Sequence, residues 1–442
     1  MRSSLARRAV VFGSAALLLV TPAVAQASPE PGAAGGSTPG VSDQAAHLPI
    51  ELIDALQRDL KLSPDQYLQQ SEAAQKLAEF AAMAGVQFPE AFGGTWLDAA
   101  GTPVVGVAGP DGAALRDAVT NAGFTPTDVQ RSSQRLDADR TALTDWVATL
   151  PPEIAKLVHG VTVDIANNSI VVGAENAAGS LVDLLPPALR EAARVILGPA
   201  LAPLVPTTTG EEVAQFGTDA LLGGDPYAAN GGGMGLRCSL GFNAVDQAGA
   251  SVNISAGHCD PSPASAGTPY ASQARAMVGN LTGPAIGTFE KTNLQGLDYS
   301  IIRPTAEAAR LLSNNQVRVP NAEALRISGT ANPVVGAPAC KAGNTTGYSC
   351  GVVTSVNRNI KVGDRVIDNG FTTDMCGLRG DSGGPIVTGT LALGISSASN
   401  VGGIGTCDAA AVAQVTGGGP TLSATPIKSI LGANPGLALR TS

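Results

Sequence analysis

Charge is scarce in this chain of 442 residues. Charged residues make up only 14% of it, while glycine is abundant at 54 residues. This balance favours a compact, turn-rich protein over a disordered one. The formal net charge is −9 and no basic patch stands out, so we expect no nucleic-acid partner.

Cysteine is missing from the first half of the chain. All six cysteines follow residue 222, and they are Cys238, Cys259, Cys340, Cys350, Cys376 and Cys407. An even number in an exported module indicates three disulfides, and the count alone leaves many pairings open. No Cys-x-x-Cys spacing occurs, so we expect neither a metal centre nor a cofactor.

Long apolar runs are missing beyond the N-terminus. There, a basic end with Arg7 and Arg8 precedes an apolar run at residues 9–20, which is too short for a membrane span. Residues 1–27 are therefore predicted to be a secretory signal, with both general and twin-arginine export open. We expect an extracellular protein without a stable membrane anchor.

The most specific motif is Gly-Asp-Ser-Gly-Gly-Pro at residues 380–385. A serine on a tight glycine turn leaves its hydroxyl open to attack a carbonyl. The backbone N–H groups of Gly380 and Ser382 would then receive the negative charge that the attack creates. The motif predicts a nucleophilic serine, which needs a base.

Histidine is also scarce, and this limits the possible bases. The chain has only His47, His159 and His258, and only His258 lies in the C-terminal half, within Ala-Gly-His-Cys. Asp298, before a strand-like run, is the best candidate to orient its imidazole. An isolated histidine or aspartate is more often a structural residue. The order His258, Asp298, Ser382 nevertheless matches a known order of the catalytic triad.

These motifs resemble those of the chymotrypsin-like serine proteases, in particular the secreted bacterial branch of the streptogrisins and α-lytic protease. The matching segments include residues 237–242, 256–259, 298–299 and 376–385, and the resemblance covers roughly residues 222–442. It implies an all-β domain of two six-stranded antiparallel β-barrels with the active site between them. It also implies a serine endopeptidase that acts on proteins or peptides, as a monomer.

The resemblance implies further roles for single residues. It selects the sequential disulfides Cys238–Cys259, Cys340–Cys350 and Cys376–Cys407. Ser396 matches the serine that hydrogen-bonds the triad aspartate in the family. Asp381 would be buried and need a cation, and Lys341 stands where the relatives have an arginine.

The specificity pocket is also located by the resemblance. Its walls are predicted to be formed by Cys376, Gly377, Leu378, Arg379, Ser397 and Ala398. The usual position at its base is Cys376, so no carboxylate would meet an arginine or lysine of the substrate. Glutamate-specific relatives use a pocket histidine, and this half has no second one. A neutral pocket for an apolar or small side chain is therefore predicted. Its size stays open, because Gly377 would enlarge the pocket whereas Ala398 would narrow it.

The segment before the protease half is predicted to be a small α+β module. After a flexible linker at residues 28–46, helical patterns occupy residues 47–84, with further helical patches at 111–157 and 183–200. Two β-hairpins are predicted, around residues 93–107 and 161–172.

This module resembles the pro-regions of the same protease branch. The resemblance implies that residues 47–221 assist folding and inhibit the protease at residues 222–442 until they are cleaved away. The junction is expected between Phe216 and Gly223. Alternatives remain open: an independent binding domain for the module, and a catalytically silent binding module or a serine esterase for the protease half.

Overall fold

The structure, a computed structural model, describes residues 41–110, 112–178, 181–203, 218–363, 365–401, 404–409 and 419–442. The predicted signal and most of the predicted linker lie outside these ranges, as does part of the expected junction near Phe216. Within these ranges, no helix combines the length and the apolar character needed to span a membrane.

The first part of the chain begins with helices. In chain order its helices are α1 (Val41–Ala45), α2 (Ile50–Ala55), α3 (Pro64–Gln87), α4 (Ala113–Asn121), α5 (Ser133–Thr149), α6 (Pro152–Ala155) and α7 (Leu181–Leu184). The long helix α3 begins with a reciprocal cap. Ser63 accepts the backbone N–H of Gln66 at 3.2 Å, and the Gln66 side chain accepts the N–H of Ser63 at 2.8 Å.

Two three-stranded sheets complete this part. Their strands are β1 (Phe92–Leu97), β2 (Pro103–Ala108), β3 (Thr125–Val129), β4 (Val158–Asp164), β5 (Ser169–Ala174) and β6 (Ala193–Leu197). Each sheet has an antiparallel hairpin, β1–β2 or β4–β5, where the sequence predicts one, and a third strand parallel to it. The helical prediction for residues 183–200 is wrong in part, because β6 adds to β5 there.

The remaining strands begin with β7, at the end of the first part, and continue after residue 217 in the second part. They are β7 (Ala202–Pro203), β8 (Pro226–Gly231), β9 (Met234–Ser239), β10 (Phe242–Val245), β11 (Ser251–Ser255), β12 (Gln273–Val278), β13 (Leu281–Asn293), β14 (Tyr299–Pro304), β15 (Gln316–Val317), β16 (Leu325–Arg326), β17 (Gly329–Thr330), β18 (Pro338–Gly343), β19 (Gly347–Val362), β20 (Arg365–Thr373), β21 (Pro385–Thr388), β22 (Leu391–Ser399), β23 (Leu422–Pro426) and β24 (Ala438–Leu439). Two short helices accompany them, α8 (Ala306–Leu311) and α9 (Ile427–Gly432).

These strands form two large sheets. The first has the order β24-β10-β11-β14-β13-β12-β8-β9. In the second, β22-β21-β18-β19-β20-β23 closes into a ring of six, because β23 also pairs with β22. The short strands β17 and β7 add to β22. The chain is thus mostly β-sheet, and each sheet has more strands than the six predicted per barrel.

The upstream segment packs against the protease half. Leu52, Leu56 and Tyr67 are fully buried, in one apolar cluster with the core of the first large sheet. The backbone N–H of Cys350 donates to the Asp59 carboxylate at 2.8 Å. Gln75 exchanges two hydrogen bonds with the backbone of Asn332, at 3.0 and 2.8 Å. These contacts join α2, the following π-helical turn and α3 to the β-sheet half.

Candidate active site

The three predicted triad residues come from both large sheets. His258 lies in a 3₁₀ turn, Gly257–Cys259, that follows β11. Asp298 lies immediately before β14, as its strand-start position in the sequence predicts. Ser382 lies in the turn that leads into β21 of the second sheet. The site is therefore formed where the two sheets meet.

The geometry of these residues is that of a hydrogen-bonded relay. His258 Nε2 lies 2.7 Å from Ser382 Oγ, and its Nδ1 lies 2.6 Å from Asp298 Oδ2. The backbone N–H of His258 donates to Asp298 Oδ1 at 2.9 Å. All three side chains are buried. The arrangement allows the imidazole to take a proton from the serine hydroxyl while the carboxylate holds its orientation.

The serine that supports Asp298 is not the predicted one. Ser397 Oγ donates to Asp298 Oδ2, whereas Ser396 Oγ donates to the carbonyl of Gly384 at 2.8 Å. The register of β22 against β23 shifts between Ser396 and Ala398, which marks a β-bulge. The bulge changes the direction in which successive side chains point. The sequence therefore predicted Ser396, whereas Ser397 is the serine that reaches Asp298.

The pKa of the Asp298 carboxyl is lowered by its surroundings. Burial raises its pKa, but the charge and hydrogen bond of His258 and the nearby Arg365 guanidinium outweigh burial and bring the pKa to about 2. Arg365 Nη1 lies 3.7 Å from Asp298 Oδ1. No sequence motif indicated this arginine, because it is distant in the chain and approaches only through the fold.

The nucleophile turn has two backbone N–H groups that are not engaged in hydrogen bonds among the described residues. The N–H groups of Gly380 and Ser382 donate to no other group in the described part of the chain. Gly380 has φ +106°, and a Cβ there would lie 2.3 Å from Thr345 Oγ1, so only glycine fits. Ser239 fastens the turn, since its hydroxyl donates to the Gly380 carbonyl at 2.8 Å. The turn can thus present both N–H groups to a developing oxyanion.

The carboxylate of Asp381 lies behind this turn, fully buried. Lys341 Nζ, also fully buried, lies 3.2 Å from Asp381 Oδ2. The same carboxylate accepts N–H groups from Leu378 at 2.9 Å and from Thr345 at 2.9 Å. Burial raises the pKa of Asp381, but the Lys341 ammonium and the hydrogen bonds from Leu378 and Thr346 outweigh it and hold the pKa below its ordinary value.

The six cysteines pair sequentially. The disulfides are Cys238–Cys259, Cys340–Cys350 and Cys376–Cys407. The first joins the end of β9 to the turn that carries His258, and the second crosses the β18–β19 hairpin. Each bond therefore fixes a loop or hairpin near the site, and no group of metal-binding side chains occurs among the described residues.

The predicted pocket residues do not all face one space. Leu378 and Val401 pack together with Cys376 and its partner Cys407, and Ile404 joins this apolar cluster. Gly377 is buried beside it and Arg379 is exposed. Ala398 belongs to a different cluster, with Ile360, Val362, Ile367 and Leu201 of the upstream segment. The wall at Cys376 and Leu378 is neutral.

The described residues just before position 204 lie on β22. In β7, Pro203 pairs with Ala398 and Ala202 with Ser399, in antiparallel orientation. Leu201 is 7% exposed. Because Ser397 contacts Asp298, a strand that adds to Ala398 and Ser399 lies beside the triad. The upstream chain thus adds an extra β-strand to β22 next to the residues that contact Asp298.

Comparison with known proteins identifies the class. Serine protease 2 of Streptomyces fradiae is 35% identical over 188 residues, which cover 42% of this chain and 97% of that protein. Glutamyl endopeptidase 2 of Streptomyces griseus is 37% identical over 168 residues, covering 38% of this chain and 81% of that protein. No protein-family model matches the chain.

The similarity extends upstream of the protease half. Streptogrisin-C of Streptomyces griseus is 29% identical over 412 residues, 92% of this chain and 80% of that protein. The protein is a serine endopeptidase. More specifically, the chain belongs to the streptogrisin branch of the chymotrypsin-like serine proteases.

Proposed function

We propose that Ser382 is the nucleophile, His258 the general base and Asp298 the residue that orients the imidazole. Ser382 attacks the scissile carbonyl as His258 takes its proton, and the resulting imidazolium then protonates the leaving amine. In the second half of the reaction, His258 takes a proton from water, which then attacks and hydrolyses the acyl-enzyme. The distances of 2.7 and 2.6 Å along this relay carry the proposal.

Charge stabilisation is assigned to the nucleophile turn. The N–H groups of Gly380 and Ser382 bind the oxyanion of the tetrahedral intermediate. The Lys341–Asp381 pair keeps this turn in place from behind, because Asp381 also accepts the N–H of Leu378 within the same turn. Lys341 thus neutralises Asp381 through a single ammonium group, at the position where the relatives have an arginine.

The protein is proposed to be a zymogen whose residues 47–221 act as a pro-region that assists folding and inhibits. The pairing of β7 with Ala398 and Ser399 supports inhibition, since it occupies the strand beside the triad. The burial of Leu52, Leu56 and Tyr67 in a shared core supports an assisting role. A fold rich in long-range strand pairing forms slowly and benefits from such a template.

Primary specificity is proposed for neutral side chains, small or apolar. The wall formed by Cys376 and Leu378 packs with Val401 and carries no charge. Glutamate preference is not expected, because His258 is the single histidine after residue 222 and belongs to the triad. Substrates are proteins or peptides, and the secreted enzyme is proposed to act outside the cell as a monomer.

Two experiments test this function. Ser382→Ala should abolish hydrolysis of casein and of peptide amides by the secreted protein, and full activity in this variant would overturn the triad. Peptide-library cleavage should show neutral residues before the scissile bond, and faster cleavage after arginine would overturn the neutral pocket. Protein digestion also separates a protease from an esterase or a silent binding module.

A further inference from the structure

The carboxylate of Asp298 has a positively charged partner that lies outside the relay. Its Oδ2 faces His258 Nδ1 and Ser397, and its Oδ1 accepts the backbone N–H of His258 at 2.9 Å. The remaining side of Oδ1 faces the Arg365 guanidinium at 3.7 Å. The Asp298 side chain is 2% exposed and that of Arg365 is 24% exposed, so the pair joins a buried carboxylate to a partly exposed guanidinium.

The position of Arg365 is set by backbone contacts. It is the first residue of β20 and pairs with Val362 beside the tip of the β19–β20 hairpin. The hairpin is joined to the loop before Asp298, because the N–H of Asp368 donates to the Gly296 carbonyl at 2.7 Å. At Gly296, φ is +76° and a Cβ would lie 2.8 Å from Asp368 Oδ2, so the contact requires glycine.

The other charged groups near the His258 imidazole already have partners of their own. Asp260, next to the turn that carries His258, is buried and accepts the Thr292 hydroxyl at 2.7 Å. The strand β22, with Ser397, carries no charged residue. The turn that carries His258 also packs against β9 and β14, whose charged residues are Arg237 and Arg303. Arg303 is paired with Asp246 and Glu290, so neither arginine forms an ion pair with Asp298 among the described residues.

We propose that Arg365 is a positioning residue of the active site: it fixes the Asp298 carboxylate and extends activity toward acidic pH. The inference rests on the proposed triad. A guanidinium beside the carboxylate offsets part of the negative charge that favours the imidazolium. Removing Arg365 should therefore favour the protonated imidazole, which cannot act as a base.

The test is the pH dependence of kcat/KM for a neutral peptide amide. Arg365→Gln should move the midpoint of the acidic limb upward by about 0.3–1 pH unit, as for one partly screened unit charge. It should also lower kcat several-fold with KM nearly unchanged. Arg365→Lys should restore most of the acidic limb, because it keeps the charge.

The matched control is Lys361→Gln, which removes one positive charge from the same hairpin. It should leave the midpoint within about 0.1 pH unit, because Lys361 makes no ion pair with Asp298 among the described residues. A wild-type midpoint in Arg365→Gln, or an equal shift in Lys361→Gln, would overturn the inference. Activity retained in Ser382→Ala would instead overturn the triad.

If the Arg365→Gln chain does not mature into active enzyme, its pH profile cannot be measured. The role of Arg365 is then tested by NMR. The NMR signals of the His258 ring are followed against pH in the uncleaved Ser382→Ala chain, with and without Arg365→Gln. We expect the imidazole to protonate at higher pH in the double variant. Coincident titration curves would contradict the role of Arg365.

Discussion

Ser397, and not the adjacent Ser396, donates its hydroxyl to Asp298, the aspartate of the proposed triad. Ser396 instead contacts the carbonyl of Gly384. The two serines are neighbours in β22, yet one supports the proposed relay and the other the nucleophile turn. This difference gives a direct test by substitution.

Ser397→Ala should lower kcat by about 10–100-fold with KM nearly unchanged, since a hydrogen bond to a buried charge contributes about 1.5–3 kcal/mol. Ser396→Ala, the matched control, should lower kcat by less than about 3-fold, because the Gly384 carbonyl also accepts the Ser396 N–H at 2.9 Å. Steady-state kinetics on a peptide amide measures both. A larger effect of Ser396→Ala would reverse the assignment.

Lys341→Met should destabilise the protein strongly. It leaves the Asp381 carboxylate fully buried without its cation, and breaking such a pair costs about 3–5 kcal/mol. Denaturant unfolding of the uncleaved Ser382→Ala chain measures the loss. The control Lys428→Met removes an exposed lysine and should change the unfolding free energy by less than about 0.5 kcal/mol. Equal stability of the two variants would show that the pair does not hold the turn.

Acid should weaken the fold in a defined window. The pKa of Asp298 is about 2 in the folded chain, and that of Asp381 is also lowered. A carboxyl with a depressed pKa stabilises the fold above its unfolded pKa, and this contribution is lost as pH falls through the folded value. The unfolding free energy should therefore decline between about pH 4 and about pH 2. Denaturant midpoints over this range measure it, and a flat profile would contradict the burial of both ionised groups.

Weakening the packing next to β7 should weaken inhibition of the protease by the proposed pro-region. Leu201→Ala removes an apolar side chain that packs against Ala398 and the β19–β20 hairpin, so the released pro-region should inhibit about 10–100-fold less tightly. The control Leu184→Ala alters an exposed side chain of the same segment and should leave the inhibition constant unchanged. Titration of the mature enzyme with each pro-region gives both constants. Equal inhibition would mean that β7 is not the inhibitory element.

Maturation should cut upstream of Ala220. Leu221 and Leu222 are buried, and the N–H of Gly223 donates to the Gln316 carbonyl at 3.0 Å, so a protease cannot reach these bonds without unfolding. Within the junction predicted between Phe216 and Gly223, the cut is therefore expected near the N-terminal end and not at residue 221, the end of the proposed pro-region. N-terminal sequencing of the secreted enzyme measures this. A mature N-terminus at Leu221 or later would contradict it, and the Ser382→Ala chain shows whether the cut is autocatalytic.

The sequence by itself determined the chemical groups of the site. Six matching residues around Ser382 define a turn whose glycines cannot be replaced, and the scarcity of histidine leaves His258 as the base. The hairpins at β1–β2 and β4–β5 were also predictable, because alternating apolar residues flank short turns. These are local features, encoded within a few residues.

Only the tertiary structure decided which neighbours complete the site. A β-bulge in β22 selects Ser397 over Ser396, and a one-residue shift reverses which face a strand side chain occupies. Arg365 reaches Asp298 from a hairpin that is distant in sequence, and β7 reaches Ala398 across the junction. Such contacts depend on strand register and on packing between distant segments, for which the local sequence has no pattern.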